Sequence, residues 1–256
     1  TRTVISGITY GNYGSKIVDI FAFIRADSDK NSIQSSMLKS AMSQAPPLNS
    51  LDQIITFLTR LKSEYDLNLS TIPLDDLSSW VVDDDKIYHE AHKYFSVIAV
   101  NVEISNREVS AWSQPMIEPS QDGLCAFVCK EIDGLLHFIV QAKLECGNQD
   151  IVEFAPTVQC LTGNYRETQE SSLPFLDYVL NAKQEQILYD ARQSEEGGRF
   201  YKEQNRNMIV KGGEELSEDL PERYIWMTLS QMYTFLKFNN YINIQARSLI
   251  AAISFA

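Results

Sequence analysis

The sequence predicts an α+β fold, with strand-like segments grouped centrally and helical segments at both ends. Three observations carry this. Residues 50–65 space apolar side chains at the helical period, residues 86–160 turn to apolar runs with β-branched residues, and the helical period returns after residue 228.

Residues 1–48 hold Gly, Ser and Asn clusters, an apolar patch over 17–23 and a Pro46-Pro47 stop, in keeping with a helical arm. In residues 50–65, Leu51, Ile54, Ile55, Leu58 and Leu61 share one face, and Ser50 with Gln53 fits a capping box. Residues 72–80 form a short turn-and-helix element ending on Trp80. Residues 95–102 read as an apolar strand. Residues 124–129 and 135–144 read as a hairpin joined around Asp133-Gly134, a strong turn dipeptide. Further strands are expected over 185–193 and 207–211. Leu229, Met232, Tyr233 and Leu236 form one helical stripe, and a second helix follows over 243–253. The expected organisation is an N-terminal arm and helical segment over 1–69 and one module over 70–256, without internal repeats.

The 256 residues are 44% hydrophobic and 22% charged, ordinary for a soluble globular chain. A formal net charge of -12 argues against a broad nucleic-acid surface. It leaves room for a phosphorylated small ligand, because a few Arg and Lys side chains reverse the potential inside a pocket. No apolar run reaches membrane-spanning length and no signal-peptide pattern opens the sequence, so a cytoplasmic protein is expected. Cys125, Cys129, Cys146 and Cys160 show no CxxC spacing, and no His pair completes a zinc pattern; buried, reduced thiols are expected. The glycine-rich dinucleotide and P-loop motifs and the GxSxG elbow are absent. Glu195-Glu196-Gly197 resembles a fragment of the Nudix box without its upstream Gly, Glu and Arg-Glu positions.

The candidate site comes from polar strings that a fold alone does not require. Two-residue alternation over 136–146 puts Phe138, Val140, Ala142 and Leu144 on one face and His137, Gln141, Lys143 and Glu145, with Ile139 among them, on the other. Such a polar face is either solvated or lines a site. The next segment repeats the pattern, with Phe154, Pro156 and Val158 on one side and Glu153, Thr157 and Gln159 on the other, which favours a hydrogen-bonding surface. Gly147-Asn148 is a turn dipeptide. Around Gly197-Gly198, Arg199, Arg206 and Asn207 form a cluster suited to a diphosphate through guanidinium forks; a flexible turn is the plainer reading. Proton abstraction beside a carbonyl calls for His, Glu, Lys or Tyr, which makes His89, Lys143, Glu145 and Tyr165 candidates. Trp80 and Trp112 are core residues or platforms for a base.

Taken together these strings resemble the NDP-hexose 2,3-dehydratase family of deoxysugar biosynthesis. The matching stretches are Ile72-Pro73-Leu74 with Trp80, Ile87-Tyr88-His89 with Phe95-Ser96-Val97, and Arg107-Glu108-Val109 with Trp112, Gln114 and Pro115. They continue through Gln141-Ala142-Lys143, Glu145, Gly147-Asn148, residues 155–159, Thr162, Asn164-Tyr165, residues 193–200 and 205–208. Trp226, Thr228, Leu229, Gln231, and Asn243 with Ala246-Arg247-Ser248 close the resemblance, which covers roughly residues 70–250. Cys146 stands where the family usually has Pro, and His92 and Ala99 where it has Gly.

The resemblance implies a Nudix-like mixed-sheet module flanked by helices, no metal or other cofactor, and a dTDP-linked 4-keto-6-deoxyhexose as substrate. The reaction it implies is loss of water across C2 and C3, giving a 3,4-diketo-2,6-dideoxy sugar. Lys143 and Glu145 are then expected at the sugar, with Tyr165 and His89 as proton donors or enolate stabilisers. Arg199 and Arg206 are expected at the diphosphate, with Asn148, Gln159, Asn164, Asn207, Gln141 and Trp112 as further substrate-binding groups. Family members carry two modules in tandem and this chain resembles one, which fits either a natural single-module enzyme or half of a longer protein; the first is preferred, with a homodimer supplying what the tandem supplies. The competing readings are a non-catalytic sugar-nucleotide-binding or structural subunit, and an epimerase or isomerase working through the same enolate.

Overall fold

A computed structural model describes residues 32–43, 45–161 and 173–253. Two helices come first: α1 (Ile33–Met42), inside the segment where an arm was expected, and α2 (Leu51–Glu64). The Ser50 hydroxyl accepts from the Gln53 N–H, and the Gln53 side chain accepts in turn from the Ser50 N–H, completing the predicted capping box. Ile54, Leu58 and Leu61 are the buried stripe of α2. Leu51 and Ile55, assigned to the same face, are exposed because they lie in the first turn and off the flank of that stripe.

A four-stranded antiparallel sheet follows in the order β1 (Trp80–Val82), β2 (Lys86–His89), β3 (Phe95–Glu103), β4 (Ala111–Pro119). Trp80, expected to end a helical element, instead opens β1 and pairs with His89; the short 3-10 turn stops at Asp76. Pro115 and Pro119 are tolerated because β4 is the last strand of this sheet. Residues 62–122 include no buried residue.

The second sheet runs β11-β6-β5-β10-β9 and holds the core. Its strands are β5 (Gly123–Ile132), β6 (Leu135–Leu144), β9 (Ile187–Ser194), β10 (Gln204–Lys211) and β11 (Tyr224–Met227). The pairing of β10 with β5 is parallel and the others are antiparallel, so the sheet is mixed. The predicted hairpin is present. Asp133 and Gly134 both take positive φ, 51° and 74°, as a two-residue turn matched to strand twist requires.

Both faces of this sheet are covered. Cys125, Phe127, Cys129, Phe138, Val140 and Ala142 pack with α1, α2, α4 (Leu229–Phe235) and α5 (Ile244–Ala252). Leu124, Ala126, Val128, Ile139 and Met208 pack on the other side with α3 (Leu176–Leu180), Leu216 and Trp226. The choice between a solvated and a site-lining polar face on β6 therefore has a third answer over its first half. His137 and Gln141 are buried, at 1% and 3% exposure. His137 is anchored there, Nδ1 against the Leu135 carbonyl and Nε2 accepting from the Leu48 N–H, and burial holds its pKa below the usual histidine value. The run Leu135-Leu136-His137-Phe138-Ile139-Val140, apolar except at His137, is the sequence trace of a strand buried on both faces.

Candidate active site

The site exists because the β5–β6 hairpin splits. Near its turn, residues 129–132 pair with 135–138. Further on, β6 takes β7 (Val152–Ala155) as its partner, and the start of β5 takes β8 (Val158–Leu161). Thr157, fully buried, sits in the crotch between β7 and β8. Its hydroxyl donates to the Ile139 carbonyl on β6 and accepts from the Val128 N–H on β5, 2.9 Å away. One side chain thus satisfies the two backbone groups that the split would orphan. The break also resets strand phase. Phe154 packs in the helix-side core and Val158 in the opposite one, so the expectation that they share a face does not hold.

The split leaves a cavity of about 300 Å³ beyond the fork. Lys143, Glu145, Gln159, Glu203, Asn205 and Gln245 supply its polar wall. Gln159 is the hub. Its Nε2 donates to Glu145 Oε1 at 2.9 Å, its Oε1 accepts from Asn243 Nδ2 at 2.7 Å, and its carbonyl accepts from Lys143 Nζ at 3.4 Å. Gly123 forms part of the floor, and a Cβ there would lie 2.1 Å from Asn205 Oδ1, so the glycine lets the Asn205 amide lie over β5. Asn205 Nδ2 donates to Glu195 Oε1 at 2.6 Å, and Asn207 Nδ2 donates to the Asn205 carbonyl at 2.9 Å. Asn207 faces a smaller hollow of about 30 Å³, lined also by Gln193, Ser194 and Ser248, which shares Cys125 and Gln245 with the larger one.

The electrostatics of the cavity are mixed. Among the described residues lining it, Lys143 is the cation, opposite the carboxyl groups of Glu145 and Glu203. Burial, with Glu195 nearby, pushes the Glu203 carboxyl above its usual range, so it holds a proton to higher pH than a solvated Glu. Burial raises the Cys125 and Cys160 thiols to about 12 and about 11, so neither is a thiolate nucleophile near neutrality. Cys125 and Cys129 are buried as expected of reduced thiols; Cys160 is half-buried and Cys146 is exposed, because it lies in the turn after β6.

The fold therefore brings Lys143, Glu145 and Gln159 together, with Asn207 in the adjoining hollow. Asn148 closes the turn after β6, its N–H bonded to the Glu145 carbonyl at 3.1 Å and its buried Nδ2 without a hydrogen-bond partner among the described residues. Gln141 is buried, with no hydrogen-bond partner for Oε1 among the described residues. Arg206 forms a two-pronged pair with Asp190, at 2.9 and 2.6 Å, on the opposite face of β10 from Asn205 and Asn207. Arg199 is exposed and pairs with Glu196 at 3.4 Å. The loop carrying it is tied to β4, with Ile117 N–H bonded to the Arg199 carbonyl and Gln114 Nε2 to the Gly198 carbonyl. His89 and Trp112 belong to the four-stranded sheet. His89 packs edge-on against Trp80 and Tyr94, and Trp112 Nε1 donates to Gln114 at 2.6 Å. Neither lines the cavity. Tyr165 and Asn164 lie outside the described residues. Sequence reasoning gave no site role to Gly123, Glu203, Asn205, Asn243 or Gln245, although Asn205 and Asn243 lie in strings that carried the family resemblance. Asn243 also stands at a helix N-cap.

Comparison with known proteins agrees with this region of the chain. Residues 51–253 match the family model described as NDP-hexose 2,3-dehydratase. A Saccharopolyspora spinosa protein named dTDP-4-dehydro-6-deoxy-alpha-D-glucopyranose 2,3-dehydratase is 42% identical over 206 residues, 80% of this chain and 42% of its own length. Proteins of the same name from Streptomyces violaceoruber and Amycolatopsis orientalis are 42% and 40% identical, over 81% and 80% of this chain and 47% and 43% of their own lengths. The chain thus spans about half the length of these relatives. Among solved structures, an ADP compounds hydrolase aligns with a TM-score of 0.36 at 15% identity, covering 61% of this chain and 82% of that one. On the strength of the family match and the three relatives, the chain belongs to the NDP-hexose 2,3-dehydratase family.

Proposed function

We propose that this chain is a hydro-lyase acting on a dTDP-linked 4-keto-6-deoxyhexose, the substrate class named for its relatives. The observation that carries the reading is the meeting of Lys143, Glu145 and Gln159 in one cavity at the split of the hairpin. The C4 ketone acidifies the C3 proton, which one of the Lys143–Glu145 pair removes. The resulting enolate expels the C2 hydroxyl, which leaves as water after taking a proton. Glu203, with its carboxyl held protonated to higher pH, is suited to supply it. The enol tautomerises to the 3,4-diketo-2,6-dideoxy sugar. Carbon redox levels balance internally, so no external oxidant or reductant enters. Arg199 reaches the diphosphate by exchanging exposed Glu196 for phosphate oxygens. The test is incubation with a dTDP-4-keto-6-deoxyhexose and a reductive trap for the diketone. Loss of the C2 oxygen is expected. Tight binding without turnover would instead favour a binding subunit, and solvent deuterium at C3 without loss of water an epimerase.

The proposal includes a homodimer. The four-stranded sheet with its connections offers the surface, since it has no buried residue and exposes Val82 and Phe95 on its strands and Tyr94 and Val109 in its connections. Sedimentation is expected to give a dimer, and the double variant Val82→Glu, Val109→Glu a monomer; a monomeric parent protein contradicts this. A cytoplasmic setting is in keeping with four unpaired cysteines, and among the described residues no helix is long and apolar enough to cross a membrane.

A further inference from the structure

We infer that Asn243 is a positioning residue for Glu145, acting through Gln159; this rests on the reading of Glu145 as a group that faces the sugar. Asn243 is buried, at 4% exposure, and both ends of its amide are engaged. Oδ1 accepts from the Ala246 backbone N–H at 3.0 Å, capping α5, and Nδ2 donates to Gln159 Oε1 at 2.7 Å. Gln159 Nε2 then donates to Glu145 Oε1 at 2.9 Å.

The direction of this relay is set by chemistry. An amide side chain can ordinarily be turned end for end without changing its shape. A backbone N–H is only a donor, so the Ala246 N–H commits Asn243 Oδ1 to it and Nδ2 to the far side. Gln159 must answer that donor with its oxygen, which leaves its NH₂ aimed at the acceptor-only carboxylate of Glu145. The relay is anchored at both ends. The Asn243 N–H donates to the Phe154 carbonyl at 2.9 Å, and Gln159 lies within β8, paired with Cys125. A helix cap thereby selects one orientation of a carboxylate in the cavity, while Lys143 is drawn to the carbonyl of the same Gln159.

The cap and the relay separate by substitution. Asn243→Asp and Asn243→Ser keep an oxygen for the Ala246 N–H; Asp replaces the donor to Gln159 by an acceptor, and the Ser hydroxyl ends one atom short of the amide Nδ2 that reaches Gln159; Asn243→Ala removes both interactions. With Asp at this position, Gln159 turns its NH₂ toward residue 243 and presents an oxygen to Glu145. The Ser variant makes the same break without adding charge. In the full chain, Asn243→Asp and Asn243→Ser are expected to keep Tm close to the parent value. Their kcat on a dTDP-4-keto-6-deoxyhexose is expected to fall about 10–100-fold with KM nearly unchanged, the signature of a misplaced reacting group. Parent-like kcat in both variants overturns the inference, as does a kcat that falls only in step with Tm across Asp, Ser and Ala. If the parent protein itself shows no turnover, the functional reading fails separately. Crystal structures of the parent and Asn243→Asp then decide the relay: a Glu145 carboxylate displaced from Gln159 supports it, and an unmoved carboxylate overturns it.

Discussion

Lys143→Met and Glu145→Gln are each expected to lower kcat by about 10²–10⁴-fold, the range for removing a positioned acid or base. Gln matches Glu in length and Met falls one atom short of Lys, so the changes remove little beyond the charge or the proton-accepting oxygen and folding should be nearly unaffected. Among the described residues Lys143 makes one long hydrogen bond, 3.4 Å to the Gln159 carbonyl, and neither side chain belongs to a core cluster. A change in stability of roughly 0.5 kcal/mol or less is expected, as for substitutions outside a core. Single-turnover kinetics with the trapped diketone, read beside thermal unfolding, checks both halves. If both variants turn over at the parent rate, the proton is moved by groups elsewhere. The pair then belongs to binding at most.

The second large effect is expected at the fork. Thr157→Val keeps the shape of the side chain and removes its hydroxyl. The Ile139 carbonyl and Val128 N–H, both on strands buried on both faces, then lose their partner together. An unsatisfied buried polar group costs about 1–3 kcal/mol, so the pair should cost about 2–6 kcal/mol. For a chain of this size that is a fall in Tm of roughly 4–24 °C. Thr157→Ser keeps the hydroxyl and should retain most of the stability. Denaturant or thermal unfolding of the two variants separates hydroxyl loss from methyl loss. Equal destabilisation by Val and Ser would show that packing of the methyl group, rather than bridging, holds the fork. Activity should follow the same order, because the fork holds β6 away from β5 and so opens the cavity beside Lys143 and Glu145.

How much of this was legible beforehand differs by element. The turn at Asp133-Gly134 and the cap at Ser50 were readable because the cause and the effect lie within four residues of each other. The burial of His137 was not, since period-two alternation gives the faces of a strand but says nothing of what covers them. The phase break between Phe154 and Val158 hid behind an apparently continuous alternation. Pro156-Thr157 interrupts the strand there, and the polar residue that looked like one member of a face became the bridge of the fork. The guanidinium cluster read from Arg199, Arg206 and Asn207 separated for the same reason. Neighbours in sequence on a strand point to opposite faces, and each Arg met a carboxylate first, Asp190 for one and Glu196 for the other.

The sequence by itself determined the α+β class, the hairpin, the main helices and the family, all of which rest on short-range periodicity, turn chemistry and residue strings. Only the tertiary structure decided which polar side chains face one another. Gln159 meets Glu145 from 14 residues away and Asn243 from 84, and an amide that both donates and accepts is compatible with many partners until the backbone fixes one. The split hairpin supplies that choice, because pairing β7 to β6 and β8 to β5 satisfies the backbone of all four strands at once. The cavity with Lys143, Glu145 and Gln159 in its wall is the space that this pairing leaves.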